Sequence, residues 1–208
     1  MARVLVVFGT VEGQTEKIAK AVTGELRKMG HSVDLKDASD NRDAVHVAVY
    51  GGVVVGAPVH YSGYPASVQK WIKANAKELS ARPTAFFSVG LGILHKNDRK
   101  AQSDQQKIVQ DLFEWSGWHP NHSSIFAGAL PYSKYGLVKR LFMKVISRSG
   151  GADTDTSRDY EYTNWEDVRR FSNEFNTVLI NTQINTQANG QANAQVSQRR
   201  DTRSLKAG

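Results

Sequence analysis

Between Phe8 and Thr15 the chain reads F-G-T-V-E-G-Q-T, and the spacing of Thr10, Gly13 and Thr15 is that of an anion-binding turn. Two hydroxyls and a flexible glycine stand immediately before a run with helical periodicity. A helix N-terminus leaves its first N–H groups without intrahelical partners and carries the positive end of the helix dipole, so a phosphate is favoured there. Thr10 and Thr15 can donate hydroxyl protons, and the backbone N–H groups of Val11, Glu12, Gly13 and Gln14 complete an anion nest. The loop holds no lysine, which separates it from the G-x-x-x-x-G-K-[ST] loop of triphosphate-binding proteins. It also lacks the G-x-G-x-x-G of a dinucleotide fold; Gly90 and Gly92 supply only part of that fingerprint, after a later strand. A Thr/Gly turn that merely caps its own helix is the competing reading.

Two more loops follow buried runs. In Ala57–Pro65, the residues Pro58, Val59, His60 and Tyr61 can lie against a flat ring while backbone groups bond its polar edge. Ser88, Val89, Gly90, Leu91 and Gly92 bring bare backbone close to the same object. Loops one, two and three together have the chemistry to hold a phosphorylated flat ring such as a flavin mononucleotide. No general base can be assigned, and His60, Tyr61 and His95 are the candidates by position. His31, His46, His119 and His122 are scattered without metal-ligand spacing, so no metal is expected. The chain has no cysteine, which excludes disulfides, thiolate metal sites and a Cys nucleophile, and fits a reducing compartment. No G-x-S-x-G nucleophile turn exists.

Those loops need a frame. Arg3–Phe8 is a β-branched run of the kind covered on both faces. Gly13–Met29 carries Ile18, Ala19, Val22 and Leu26 at helical spacing and stops at Gly30. Strands are predicted at His31–Lys36, Ala48–Val55, Thr84–Val89 and Ser123–Ala129. Helices are predicted at Ala66–Ala76 and Arg99–Trp115, and a last one begins with a Thr163/Glu166 capping box. Its inward positions are Trp165, Val168, Phe171, Phe175 and Leu179. Strands alternating with helices predict an α/β fold: a doubly wound, five-stranded parallel sheet. Ligands then sit outside the carboxyl ends of the strands, where all three loops lie.

At 208 residues and 40% hydrophobic, one core and one domain are expected, spanning 1–180. Residues 181–208 change character, with INTQ INTQ ANGQ ANAQ followed by a basic end, and read as a mobile tail too polar to offset its chain entropy. The balance of charge is +7 with a pI near 9.6, which points to an anionic partner. A long insertion, 130–162, stands where a compact domain uses a handful of residues, and no acidic residue occurs in it between Leu130 and Gly151. Within Lys134–Arg148 an apolar face of Leu137, Val138, Leu141, Phe142, Val145 and Ile146 opposes Lys139, Arg140, Lys144 and Arg148. Such a basic amphipathic helix suits an anionic membrane surface or a dicarboxylate substrate; packing on the core is the plainer alternative. Nucleic acid is not expected, because no aromatic platform is interleaved with these cations. Neither the first residues nor Val45–Val59, broken by Gly51, Gly52 and Gly56, resembles a leader or a membrane span. A cytoplasmic protein, peripheral on the inner membrane's cytoplasmic face, is the expectation; a homo-oligomer is left open.

On T-x-x-G-x-T at Thr10, Gly13 and Thr15, residues 1–180 resemble the flavodoxin superfamily. More narrowly, Phe8–Thr15, Ser80–Val89, AGAL (Ala127–Leu130), SGGADTDT (Ser149–Thr156) and YTNWEDV (Tyr162–Val168) resemble the flavodoxin-like, menaquinone-dependent protoporphyrinogen oxidases of haem synthesis. Flavodoxins that only carry electrons lack the insertion after AGAL. The resemblance implies FMN, strand order 2-1-3-4-5, and six-electron oxidation of protoporphyrinogen IX with menaquinone or another quinone as acceptor. The Pro58, His60 and Pro65 loop departs from that pattern, and the Asn/Gln tail has no counterpart in it. The alternative is a flavodoxin-type electron carrier or FMN-dependent quinone reductase without porphyrin activity; the basic pI fits a carrier poorly, since such carriers are typically acidic.

Overall fold

Three apolar strands buried on both faces form the centre of a five-stranded sheet, and two more polar strands form its edges. They are β1 (Arg3–Phe8), β2 (Ser32–Asp37), β3 (Gly52–Pro58), β4 (Thr84–Gly90) and β5 (His122–Ala127), in the order β2-β1-β3-β4-β5. All four pairings are parallel. The helices between them are α1 (Gln14–Lys28), α2 (Ala66–Ser80) and α3 (Arg99–Ser116), and α4 (Trp165–Ser204) closes the fold. A computed structural model describes residues 1–40, 45–60, 63–92, 99–130 and 158–204.

Period-two alternation sends the two halves of each strand to different cores. Val4, Val6, Phe87 and Phe126 meet Ile18, Val22 and Leu26 of α1 and Phe171, Phe175 and Leu179 of α4. On the opposite face Leu5, Val7, Val53, Val55 and Phe86 meet Val68 and Ile72 of α2 and Leu112 and Phe113 of α3. Trp118 fills the space under that layer with no exposed surface, and its indole N–H donates to Thr84 Oγ1 at 3.1 Å. Each large side chain buried this way is worth roughly 1.5–3 kcal/mol. Two strand glycines make room for this packing: a methyl on Gly56 would meet the Phe87 ring at 2.0 Å, and one on Gly52 would meet Leu179 at 2.3 Å.

Three details differ from the sequence-based expectations. The run at 48–55 is divided: Val47–Val49 forms a short 3₁₀ turn and the strand begins at Gly52, the second member of the glycine pair. The turn is held by Arg82, whose guanidinium donates to the carbonyls of Val47 and Tyr50. At the start of α4 the cap is Asn164, whose Oδ1 accepts from Glu166 N–H at 3.0 Å. Thr163 is engaged elsewhere and makes no capping box. Finally, α4 continues through Ser204, where the composition predicts a mobile tail from Asn181. Once a helix is nucleated, each further residue adds one hydrogen bond, and Thr182 and Thr186 also return their hydroxyls to Val178 and Thr182 carbonyls.

The fifth predicted strand also ends early. β5 stops at Ala127, and Ala129–Leu130 (β6) pairs antiparallel with Tyr160–Glu161 (β7), outside the main sheet. That small ladder is the root of the 130–162 insertion. The basic residues Lys134, Lys139, Arg140, Lys144 and Arg148, like Tyr61 and His95, lie outside the described residues. Among the described residues no helix is long and apolar enough to cross a membrane.

Candidate functional site

Beside β1, β2 lies to one side and β3 to the other, so α1 and α2 leave the carboxyl ends of neighbouring strands toward opposite faces. A crevice opens between them. It encloses about 490 Å³, open to solvent, and is lined by Val11, Glu12, Gln14, Thr15, Pro58, Val59, His60, Val89, Gly90, Leu91, Gly128 and Ala129.

The first loop is anchored at its base by Gly9 N–H donating to Gly56 O at 3.0 Å. Gly13, with φ 96°, sits in the left-handed region that a side chain would strain. Its N–H donates to Thr10 Oγ1 at 2.9 Å, folding the loop tightly under the N-terminus of α1. Thr15 lines the crevice from the first turn of the helix and is almost fully buried. Hydroxyls, a helix N-terminus and no nearby lysine or arginine in the loop make a neutral donor set. That set fits a phosphate monoester held by dipoles and hydrogen bonds. Val11 stands 53% exposed at the rim, an apolar surface beside Leu91 and Val59 suited to the face of a flat ring.

The second and third loops meet backbone to backbone. Val59 N–H donates to Val89 O at 2.7 Å, and His60 and Gly63 exchange bonds of 2.8 and 3.1 Å that close the intervening turn. Tyr64 turns inward from this loop: its ring packs edge-on against Phe86 at 5.5 Å and its hydroxyl donates to Ser88 Oγ at 3.0 Å. Burial pushes the Tyr64 phenol up to about 12, so it is a permanent donor there. Ser88 is completely buried and its hydroxyl accepts from Tyr64; like Val89, which joins the core cluster, its side chain serves the core. Gly92 turns away from the crevice toward Gln105 of α3.

A fourth segment, absent from the predicted contact set, completes the rim. Gly128 N–H donates to Gly90 O at 3.2 Å, and Gly128 O accepts from Tyr162 N–H at 3.1 Å. Thr163 Oγ1 donates to Ala127 O at 2.7 Å and accepts from Gln14 Nε2 at 2.8 Å. The phosphate-type loop, the end of β5 and the start of α4 are thereby locked together. Lys17 adds an ion pair to Glu161 and lies 5.2 Å over the Trp165 ring. The signal for this segment was the A-G-A-L stretch itself: a glycine between two small residues directly after a strand.

Next to the crevice, across Glu12 and Gln14, a second opening is lined by Gly13, Glu16, Lys17, Ala129, Asp159, Tyr160 and Glu161. The Tyr160 and Tyr162 rings stack there at 6.1 Å with an interplanar angle of 6°, and the Arg158 guanidinium lies 4.9 Å from the centre of Tyr160. An aromatic step at the root of the insertion therefore adjoins the first-loop side of the crevice, with Glu12, Gln14 and Ala129 common to both openings.

The sequence matches the flavodoxin domain family over residues 5–157. Protoporphyrinogen IX dehydrogenase [quinone] of Escherichia coli (strain K12) is 31% identical over 172 residues, 83% of this chain and 93% of that protein. The protein of the same name from Leishmania major is 32% identical over 177 residues, 82% of this chain and 73% of its own length. Among solved structures, oxidised flavodoxin 1 from Bacillus cereus superposes with a TM-score of 0.52 at 14% identity, covering 84% of this chain and 97% of that one. That last likeness concerns the fold alone.

Proposed function

The chain belongs to the flavodoxin domain family, and on that premise we propose that it oxidises protoporphyrinogen IX to protoporphyrin IX with bound FMN, a quinone taking the electrons. The observation that carries this reading is the extent of similarity to proteins named for that reaction: 31% identity reaching across 93% of the Escherichia coli relative. The crevice supports it chemically.

The FMN phosphate is assigned to the Thr10 and Thr15 hydroxyls and the backbone N–H groups of Val11 to Thr15. Pro58, Val59 and His60 from one side, and Val89, Gly90 and Leu91 from the other, are assigned to the ring. When bound, the flavin supplies the redox chemistry, accepting electrons from one substrate and delivering them to the next. The protein's part is to hold, orient and dry the site. Val11, Val59 and Leu91 exclude water from the ring region, while backbone N–H and carbonyl groups of the second and third loops orient its polar edge. Tyr64, kept protonated by burial, braces the wall through Ser88 and takes no part in proton transfer. His60 and Glu12 are the described ionisable side chains that line the crevice, and the proton released from a substrate is assigned to His60.

The macrocycle is assigned to the opening beside Tyr160, where a flat or saucer-shaped hydrophobic ligand meets a stacked aromatic pair. The basic insertion residues Lys134, Lys139, Arg140, Lys144 and Arg148 are assigned to the propionates and to an anionic membrane surface, the medium in which a quinone dissolves. Near an acidic leaflet each such cation contributes roughly 1 kcal/mol, enough together for reversible peripheral binding without a lipid anchor.

The test is direct. Freshly purified protein should show a flavin spectrum, and under anaerobic conditions with protoporphyrinogen IX and a menaquinone analogue it should generate fluorescent protoporphyrin at a rate set by the quinone. A yellow protein that reduces quinones yet leaves the porphyrinogen untouched would return it to the electron carriers. A colourless protein that takes up no FMN would end the reading altogether.

A further inference from the structure

Gln105 sits in the second turn of α3, 5% exposed, and neither Nε2 nor Oε1 of its amide has a hydrogen-bond partner among the described residues. A buried amide in that condition is destabilising, because it has surrendered its water without replacement. Its position gives the reason a protein would retain it. The amide lies against the bare backbone of the third loop: a methyl on Gly90 would stand 2.2 Å from Nε2, and a methyl on Gly92 would stand 2.6 Å from Oε1. Gly90 and Gly92 are therefore glycines to admit this amide from behind. The opposite side of the same loop, at Gly90 and Leu91, forms the wall of the crevice.

We propose that Gln105 is a positioning residue for the flavin ring: its amide clamps the peptide groups of Gly90–Gly92 when FMN is bound, donating from Nε2 and accepting at Oε1. This rests on the FMN reading above. With the ring in the crevice, one side of the loop's peptide groups addresses the ring edge and the other addresses Gln105. A primary amide suits this task because it offers one kind of donor and one acceptor in a single plane. An apolar side chain of the same volume would pack equally well in the free protein and hold nothing in the loaded one.

The distinction can be measured. Gln105→Leu removes an unpaired polar group, so the apo protein should melt at the same temperature or higher. Its dissociation constant for FMN should nevertheless rise about tenfold, the scale of two neutral hydrogen bonds, with a shifted visible spectrum and flavin midpoint potential. Gln105→Glu restores both a donor and an acceptor only when protonated. Its FMN affinity relative to the unsubstituted protein should therefore improve as pH falls from 8 to about 5. If Gln105→Leu binds FMN with unchanged affinity, spectrum and potential, the proposal is wrong. A Gln105→Leu apo protein that is destabilised in step with its loss of FMN, with a pH-independent Gln105→Glu, would make Gln105 a packing residue and overturn it equally. Failure of the unsubstituted protein to bind FMN would instead strike the reading of the crevice.

Discussion

At the scale of single residues, most of the candidate site is made from backbone groups, and side chains act mainly to hold that backbone still. Thr10 shows this: its hydroxyl accepts from Gly13 N–H, so it shapes the nest as well as facing it. Thr10→Ala should weaken FMN binding about tenfold, by titration of flavin fluorescence, while leaving the fold intact. An unchanged dissociation constant would remove the first loop from the site. His122 affords a pH prediction away from the site. Burial holds its imidazole below the usual histidine range, against a weaker upward pull from Glu174, and the ring lies 4.9 Å from that of Phe171. The unfolded chain, titrating near 6.5, takes a proton that the folded chain resists. This contribution is complete above about 6.5 and is lost as pH falls through the depressed folded value. The denaturant midpoint should therefore be lower at pH 5 than at pH 7.5, and His122→Gln should flatten the difference.

Among the elements, legibility followed how local the cause was. Arg3–Phe8, Thr84–Val89 and the helix over Ile18, Val22 and Leu26 were readable because each pattern is decided by its own few residues. So was the tight turn before α1, since a glycine with φ 96° whose N–H is taken by the Thr10 hydroxyl is a local motif. What escaped reading depends on distant partners. Thr163 and Glu166 spell a capping box, yet Thr163 is claimed by Ala127 O and Gln14, and Asn164 caps instead. Ser88 looks like a loop hydroxyl, but Tyr64 reaches it from another element. Gln105, in a helix rich in polar residues, reads as surface. The strand glycines carry an element-level prediction. Gly56→Ala places a methyl against the Phe87 ring, and overpacking of this kind costs roughly 1–3 kcal/mol. Chemical denaturation should report that loss; a neutral result would mean that Phe87 can swing aside freely.

Over the whole molecule, the proposed function divides the labour between the sheet's crevice and the insertion. Removing Lys134–Ser149 should leave FMN uptake and the flavin spectrum unaltered while abolishing porphyrinogen oxidation. Retained turnover would move substrate recognition back onto the described crevice. The same deletion should end sedimentation with vesicles containing an acidic phospholipid, and for the intact chain that binding should fade as salt rises, because exposed charges are screened within about 10 Å at 0.1 M. On the proposed function, the net charge of +7 would serve a task that an electron carrier docking on basic partners does not need.

The two-rung ladder of Ala129–Leu130 with Tyr160–Glu161 has a consequence for the history of such a protein. Its strands enter and leave as immediate neighbours, about 5 Å apart, and neither belongs to the five-stranded sheet. Whatever is spliced between them, short hairpin or long basic segment, meets the same doorway and leaves every register of the parent scaffold undisturbed. The ladder behaves as a socket for the segment that joins its two strands.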